Sequence, residues 1–357
     1  MTAPVPSSIE ELTPEWLTAA LSDAFPGAEI TGCEVADVLY GSAAKVRMNI
    51  TGSGANLPSS LVVKGSFTQG LGDDEVARQW HALMVRVNEA ERRFYGQAAE
   101  LLDDRVPRCW FAAGDERNSV LILEDLNARK GGVRYGDFRR PLSADEMASI
   151  LDVLATLHAA RWDDKQLAAQ PLPDGFLEGG MLDAWLSEAN WNQQMARPRA
   201  ERVPEELSDY RLVSTAIRRA WDLKRSGPQC LVHGDPHIGN MFFDAHGGGY
   251  LDWQLFSSGH WAADVVYALA GAMSIEDRRK HERDLLRHYL DRIDALTKAA
   301  PSFDDAWRAY RMFAFWGVSA LLTPGEGIQT EEYNAVVGER HARAAVDLES
   351  LSLLGVR

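Results

Sequence analysis

One stretch of this chain, residues 231–256, constrains the fold more than any other. Its sequence is LVHGDPHIGNMFFDAHGGGYLDWQLF. An apolar run at Met241–Phe243 and an extended pattern that resumes at Tyr250 are separated by residues 244–249, which are rich in turn formers. Two short runs that flank a Gly-containing loop predict a β-hairpin.

The predicted hairpin gathers polar side chains at its open end. With pairing symmetric about the loop, Met241 faces Asp252, and Asn240 lies beside that carboxylate. We expect Asp235 to lie close by. A carboxylate and an amide oxygen held together suit a hard cation such as Mg²⁺ better than zinc.

The order of these residues resembles the catalytic segment of kinases. His233-Gly234-Asp235 is followed after four intervening residues by Asn240, and later by Asp252. Protein kinases have the same order, in which an Asp accepts the hydroxyl proton and the later Asn and Asp hold Mg²⁺. The wording HGDPHIGN with a downstream LDWQ is similar to the aminoglycoside phosphotransferase and choline kinase superfamily. LDWQ with DVVY at 264–267 most resembles the ecdysteroid kinase-like small-molecule kinases and their bacterial relatives.

The resemblance implies both a fold and a set of site roles. The implied fold is α+β and two-lobed, like that of protein kinases, with a small N-terminal lobe that holds an antiparallel sheet and one long helix. The C-terminal lobe is larger and mainly helical. Asp235 is the implied catalytic residue, Asn240 and Asp252 are the implied Mg²⁺ ligands, and ATP is the implied phosphoryl donor.

Two alternatives to kinase chemistry exist for the same residues. His233, Asp235 and His237 contain the residue types of a zinc site, but zinc-binding histidine pairs of this kind need a helix to share a face. Gly234 and Pro236 lie between them and disfavour a helix. The second alternative is a buried polar turn without chemistry, and bracing of the loop is the preferred role for each histidine taken singly.

A second candidate feature lies in the N-terminal part. Leu61–Lys64 is a short predicted strand that ends in a cation, and the apolar spacing from Asp73 to Leu102 predicts a long helix with one buried face. Glu91 falls on that face, whereas Glu89 points to the opposite side. A carboxylate on an apolar stripe is costly without a cationic partner. Kinases pair a strand lysine with such a glutamate, so we expect Lys64 to pair with Glu91; the alternative partners are Arg92 and Arg93 within the helix. By the same resemblance, Lys64 contacts the nucleotide phosphates and Glu91 belongs to the nucleotide site.

The resemblance adds two further nucleotide contacts. The small-residue turn at 40–45, which includes Ser42, corresponds to the turn that covers the nucleotide phosphates. The buried strand at 120–123 leads into Glu124-Asp125-Leu126, which corresponds to the linker whose backbone groups bind adenine. The lobe boundary is therefore predicted near residue 125, with a nucleotide-binding lobe at 1–125 and a catalytic and substrate-binding lobe at 126–357.

Composition limits the partners. The 357 residues suit two lobes, and a net charge of −15 argues against a nucleic-acid binder, which needs a basic patch. No apolar run approaches the length of a membrane span. The three cysteines are far apart in sequence, which is typical of reduced thiols, so we expect a cytoplasmic protein.

These observations predict an ATP- and Mg²⁺-dependent phosphotransferase that acts on a hydroxyl of a small molecule. An apolar hydroxylated metabolite and an aminoglycoside-like cation both fit as acceptors, and the ecdysteroid kinase-like resemblance favours the first. The alternatives are a kinase-fold protein that binds nucleotide without phosphotransfer and, less favoured, a metal-dependent hydrolase.

Overall fold

The computed structural model describes residues 3–39, 43–67, 75–115, 118–174, 180–325 and 329–357, without the side chains of 75–77 and 80. The chain divides into two compact units, residues 1–133 and 134–357. The assignment of nucleotide binding to 1–125 and of catalysis to 126–357 stays a prediction.

The first unit is built on a five-stranded antiparallel sheet, in the order β1-β2-β3-β5-β4. Its helices and strands are α1 (Pro14–Ala20), β1 (Glu29–Leu39), β2 (Ala44–Ser53), β3 (Ser60–Gly65), α2 (Glu75–Gln97), β4 (Cys109–Gly114) and β5 (Ser119–Glu124). Short 3₁₀ helices lie at Ile9–Glu11, Ala99–Leu101, Asp103–Arg105 and Leu126–Ala128.

The sheet has its most apolar strands in the middle. β3 and β5 are neighbours, and nearly all of their residues are buried, as expected for strands that are covered on both faces. α1 packs against β1, and α2 packs against β4 and β5. The core beside α1 includes Trp16, Leu17, Val46, Leu61, Val63 and Ile122.

The long predicted helix is present but shorter than expected. α2 ends at Gln97, and the chain continues in a 3₁₀ turn at Ala99–Leu101, whereas the apolar pattern extends to Leu102. Gly96 weakens the last turn, because glycine loses the most conformational freedom in a helix. The predicted start at Asp73 lies outside the described residues.

The described residues of the second unit are mainly helical and include two small sheets. Its helices are α3 (Ala144–Ala160), α4 (Lys165–Ala169), α5 (Met181–Trp185), α6 (Glu188–Met195), α7 (Tyr210–Arg225), α8 (Trp261–Ala272), α9 (Ile275–Thr297), α10 (Phe303–Phe313), α11 (Glu331–Asp347) and α12 (Ser350–Leu353). Its strands are β6 (Arg134–Tyr135), β7 (Cys230–Val232), β8 (Met241–Asp244), β9 (Gly247–Tyr250) and β10 (Ser257–Gly259). Further 3₁₀ helices lie at Pro198–Arg202, Glu205–Leu207, Ile238–Asn240 and Ala314–Leu322.

Helix packing forms the body of this unit. α3 packs against α8 and α9, and α11 packs against α8 and the 3₁₀ helix Ala314–Leu322. α3 begins with a capping box, in which Ser143 and Glu146 satisfy each other's backbone N–H groups. No helix among the described residues combines the length and the apolar character that a membrane span requires.

The predicted hairpin is present, but its register was predicted wrongly. Met241 faces Tyr250, not Asp252, and Asp244 faces Gly247. The turn has only two residues between the paired positions, because Asp244 accepts a hydrogen bond from the N–H of His246 and Gly247 has a φ of 106°. Glycines that were predicted to be loop therefore belong to β9. The resulting shift is even, so each side chain keeps its expected face.

A buried arginine joins distant segments of the second unit. Arg199 is fully buried; its guanidinium bonds Glu331 at 2.6 Å and the carbonyl oxygens of Leu321 and Thr323 at 2.9 and 2.7 Å. One side chain therefore connects the 3₁₀ helix Pro198–Arg202 to the start of α11. Through the Leu321 and Thr323 carbonyls it also holds the end of the 3₁₀ helix Ala314–Leu322.

We expect Arg199→Ala to lower the free energy of unfolding by about 3 kcal/mol, because it leaves buried acceptors without a donor. Arg202→Ala is the matched control; Arg202 forms an exposed pair with Glu339, and its loss should change stability by less than about 0.5 kcal/mol. Urea unfolding measures both. Equal effects would contradict the role of Arg199.

The Arg199 effect should also depend on pH. The hydrogen bond from Arg199 lowers the pKa of Glu331 below its ordinary value of 4.5. The stabilisation is thus fully present above pH 4.5 and is lost as pH falls through the folded-state pKa. The difference between wild type and Arg199→Ala should shrink over that window.

Candidate active site

The loop at residues 233–240 connects β7 to β8 and begins with a backbone conformation that requires glycine. Gly234 has a φ of 87°, and a Cβ atom at this position would lie 2.2 Å from the carbonyl oxygen of Leu255. Any side chain here would meet backbone, which cannot easily move, and would also strain φ. The Gly of the HGD sequence is therefore a steric requirement.

A buried carboxylate on α8 holds the beginning of this loop. Asp264 accepts hydrogen bonds from the backbone N–H groups of His233 (2.6 Å) and Gly234 (3.1 Å), and it lies 3.4 Å from His158 Nε2. Burial alone raises the pKa of Asp264, but the His158 hydrogen bond and the charges of His158, His233 and Lys224 lower it overall. Asp264 was not predicted to have a role. Its sequence signal is the same as that of Glu91, because it is an acid on an otherwise apolar helix.

Both ring nitrogens of His233 form hydrogen bonds with backbone groups. Its Nδ1 accepts from the N–H of Asp235 at 3.2 Å, so the ring proton lies on Nε2, which donates to the carbonyl oxygen of Leu251 at 3.0 Å. Burial lowers the pKa of His233 and keeps the ring neutral. A histidine with both nitrogens occupied has no lone pair for a metal, which counts against the zinc hydrolase. It braces the loop, the role that the sequence favours.

Asn240 ties the other end of the loop to Asp235. Its side-chain Nδ2 donates to the backbone carbonyl of Asp235 at 3.0 Å. The backbone carbonyl of Asn240 accepts from the N–H of Leu251 at 2.7 Å. Because the amide nitrogen is used, the amide oxygen is the atom that can bind a cation. The Leu251 bond places Asp252, the next residue, at the same end of the hairpin as Asn240.

Asp252 occupies the left-handed region of backbone space, with a φ of 59°. Among residues with a Cβ atom, Asp and Asn tolerate this conformation best. The side chain is partly exposed. An aspartate here therefore satisfies a backbone requirement, and it lies at the same end of the hairpin as Asn240.

The donor set fits Mg²⁺. It consists of one carboxylate and one amide oxygen, both hard ligands, and Mg²⁺ is usually held by one or two protein oxygens together with water and substrate phosphates. Among the described residues no cluster of three or more His, Cys, Asp or Glu side chains forms a closed metal cage. Asp235 is also partly exposed, with its Oδ2 3.7 Å from His237 Nε2.

In the first unit Lys64 and Glu91 form the predicted ion pair. The Lys64 Nζ atom lies 2.5 Å from Glu91 Oε2, and both side chains are buried. Glu89 faces solvent, as predicted, and binds Arg92 at 2.7 Å, so Arg92 bonds its surface neighbour in place of Glu91. The pair joins β3 to α2. Its role in nucleotide binding stays a prediction.

The predicted adenine contacts are backbone groups of Glu124 and Leu126. The carboxylate of Glu124 is occupied by Arg129 at 2.7 Å and by the N–H of Arg108 at 3.2 Å. Leu126 begins a 3₁₀ helix, so its N–H has no partner within that helix. The Glu124 N–H is bonded to the Arg108 carbonyl oxygen at 2.8 Å, so of these two N–H groups that of Leu126 fits the predicted contact with adenine. Ser42 and the rest of the turn at 40–42 lie outside the described residues.

The predicted site residues fall into two sets. Lys64, Glu91, Glu124 and Leu126 lie in the unit 1–133, and Asp235, Asn240 and Asp252 lie in the unit 134–357. Within the second set, hydrogen bonds connect Asp235, Asn240 and Leu251 directly. Asp264, which holds the start of the loop, was not predicted from the sequence.

Comparisons with known proteins concern the family and the fold of the chain. The family model described as the ecdysteroid kinase-like family matches residues 45–301. No curated protein matches the chain. The structure of choline kinase from Cryptosporidium parvum Iowa II is similar, with a TM-score of 0.53 and 12% identity over 95% of this chain and 97% of that one. This likeness shows the fold.

Two other solved structures are less similar. A microcompartment-associated aminopropanol kinase has a TM-score of 0.47 and 14% identity, covering 96% of this chain and 99% of its own. An aminoglycoside phosphotransferase from Streptomyces rimosus has a TM-score of 0.42 and 18% identity, covering 83% of this chain and 95% of its own.

The predicted α+β, two-lobed kinase-like fold is confirmed. With the family match covering most of the sequence and the HGD loop built as described, the chain belongs to the ecdysteroid kinase-like family and is a small-molecule kinase.

Proposed function

We propose that this kinase transfers the γ-phosphoryl group of ATP, bound with Mg²⁺, to a hydroxyl group of a small molecule. The main support is the bond from Asn240 Nδ2 to the Asp235 carbonyl oxygen at 3.0 Å. It links the candidate base and a candidate metal ligand within one short loop. Phosphoryl transfer depends on positioning and charge compensation more than on covalent chemistry, and a rigid loop of this kind supplies positioning.

Asp235 is the proposed catalytic residue. Its side chain is 34% exposed, whereas Asp264 is buried and already accepts two backbone N–H groups. Of the two carboxylates, only that of Asp235 has room for an acceptor hydroxyl. In this role it orients the hydroxyl and takes its proton at a carboxylate oxygen.

The remaining roles concern charge. Asn240 and Asp252 would hold Mg²⁺, which when bound neutralises the triphosphate. Lys64 would neutralise further phosphate charge while Glu91 fixes the direction of its ammonium group. Backbone groups of Glu124 and Leu126 would bind adenine, and Ser42 remains assigned to the phosphate-covering turn by resemblance alone.

For the acceptor we favour an apolar hydroxylated metabolite, because the matching family is described by ecdysteroids. A cationic acceptor is the second candidate, supported by the net charge of −15. Binding of nucleotide without transfer is disfavoured, since each polar residue that transfer needs is present. A cytoplasmic location stays our expectation.

We expect Asp235→Asn to lower turnover by about 10³-fold, because general-base catalysis contributes roughly 10²–10⁴-fold, and to leave the affinity for Mg-ATP nearly unchanged. Asp244→Asn is the matched control; Asp244 lies in the same hairpin and caps its turn through an oxygen that asparagine retains. Turnover and nucleotide affinity are measured separately. A loss of affinity as large as the loss of rate would argue against Asp235 as the base.

We expect Asp252→Asn to raise the Mg²⁺ concentration needed for half-maximal nucleotide binding by about ten-fold or more, or ~1.4 kcal/mol. Asparagine tolerates the left-handed backbone, so this variant tests the carboxylate alone. Asp252→Ala should in addition lower the free energy of unfolding by roughly 1 kcal/mol. An unaltered Mg²⁺ requirement in both variants would remove Asp252 from the metal site.

Thermal shift with Mg-ATP and an alcohol panel tests the acceptor class. Steroid and terpenoid alcohols should raise the unfolding midpoint by a few degrees, on the order expected for ligands well above their Kd. In a separate assay, the protein should consume ATP when these alcohols are present. Stabilisation by aminoglycosides alone would move the assignment to a cationic acceptor. An ATP shift without consumption would support the non-catalytic alternative, and tightly bound zinc without an ATP shift would support the hydrolase.

A further inference from the structure

The C-terminal helix α11 brings two side chains to the neighbours of Asp235. Tyr333 and His341 lie about two turns apart on this helix, and both are buried. They also lie beyond residues 45–301, the part of the chain that the family model matches. Each contacts a residue that in turn interacts with Asp235.

Tyr333 holds the ring of His237. Its hydroxyl lies 2.8 Å from His237 Nδ1, and the two rings meet edge to face at 5.6 Å. The same Nδ1 accepts from the N–H of Gly239 at 3.0 Å. A backbone N–H can only donate, so Nδ1 carries no proton. Tyr333 therefore donates to Nδ1, and the ring proton lies on Nε2.

The protonated nitrogen of His237 faces the candidate base. Nε2 lies 3.7 Å from Asp235 Oδ2. This is longer than a hydrogen bond, but catalytic contacts are often long without substrate and tighten in the complex. The position of this N–H limits the directions that the carboxylate can adopt.

Tyr267 approaches Asp235 from α8. Burial, followed by the charge of Asp235, raises the pKa of Tyr267 well above its ordinary value. The hydroxyl therefore stays protonated and can donate to the Asp235 carboxylate. The ring of His341 packs against the Tyr267 ring, with centroids 4.6 Å apart.

His341 acts here as an aromatic surface. Its two ring nitrogens are buried without a hydrogen-bond partner among the described residues, and burial lowers its pKa to about 3. Two glycines make room for it: a Cβ atom on Gly271 or Gly317 would lie 2.8 or 2.1 Å from the ring. The ring is neutral and tightly enclosed, so it fixes the position of Tyr267.

We propose that α11 positions the general base of this kinase, with Tyr333 acting through His237 and His341 acting through Tyr267. The proposal rests on the proposed role of Asp235. A carboxylate has about four lone-pair positions, so two neutral donors can fix its orientation and still leave room for an acceptor hydroxyl. His237, Tyr267, Tyr333 and His341 are then positioning residues.

A pair of substitutions separates this role from simple bracing of the loop. His237→Gln retains an N–H near the place of Nε2, whereas His237→Asn retains an acceptor near the place of Nδ1 for the Gly239 N–H. We expect turnover to be higher in H237Q than in H237N. Turnover is measured as phosphate release from Mg-ATP with water as the acceptor, which requires no identified alcohol. The reverse order would mean that His237 only caps the loop, and would overturn the proposal.

Hydroxyl deletions test the two tyrosines. Tyr267→Phe should lower the rate about ten-fold or more and Tyr333→Phe roughly five-fold, as expected when a hydroxyl can donate to a charged and to a neutral partner, respectively. The KM for ATP should stay as in wild type, and the unfolding midpoint should fall no further than in Tyr210→Phe, which also loses one hydrogen bond. Tyr210→Phe is the matched control, since it loses a bond to the Leu186 carbonyl oxygen in the same unit. Rates in both variants equal to that of the control would contradict the proposal.

A readout without turnover distinguishes this proposal from the proposed function. The carboxyl ¹³C resonance of Asp235, assigned by its loss in D235N, should shift in Y267F and Y333F and stay in place in Y210F. If wild type hydrolyses no ATP, the proposed function loses support while the resonance still tests the positioning. An unshifted resonance in both tyrosine variants would overturn the role of α11.

Discussion

The two hydrogen bonds from the His233 and Gly234 backbone to the buried carboxylate of Asp264 are the interaction on which the candidate site depends. The backbone at position 234 has a φ of 87° and no space for a Cβ atom, so it requires glycine. Asp264 is itself held by His158, whose other ring nitrogen bonds the hydroxyl of Tyr289 at 2.7 Å. Loss of this carboxylate would leave two inward-facing donors unsatisfied, at about 1–3 kcal/mol each.

The acidic residues of the candidate site differ in burial. Glu91 and Asp264 are almost fully buried, and each has fixed partners. Asp235 and Asp252 keep part of their surface in contact with solvent. A buried charge is stable only in one geometry, which suits a group that positions others. A partly exposed carboxylate can still accept a new ligand.

Sequence reasoning predicted the parts of the site that depend on local pattern. The period of α2 separated Glu91 from Glu89, and the structure pairs Glu91 with Lys64 and leaves Glu89 at the surface. The hairpin was predicted, but its register was wrong, because turn propensity does not say which glycines enter a strand. The nucleotide and metal roles of these residues stay predictions.

The sequence by itself determined the HGD loop, the hairpin after it and the acid on the buried face of α2, because each follows from residue types at short spacing. Only the tertiary structure decided which distant side chains complete the site. Asp264 reaches the loop across about thirty residues, and Tyr333 reaches His237 across nearly a hundred. No local sequence pattern predicts such contacts, because they depend on how the helices pack.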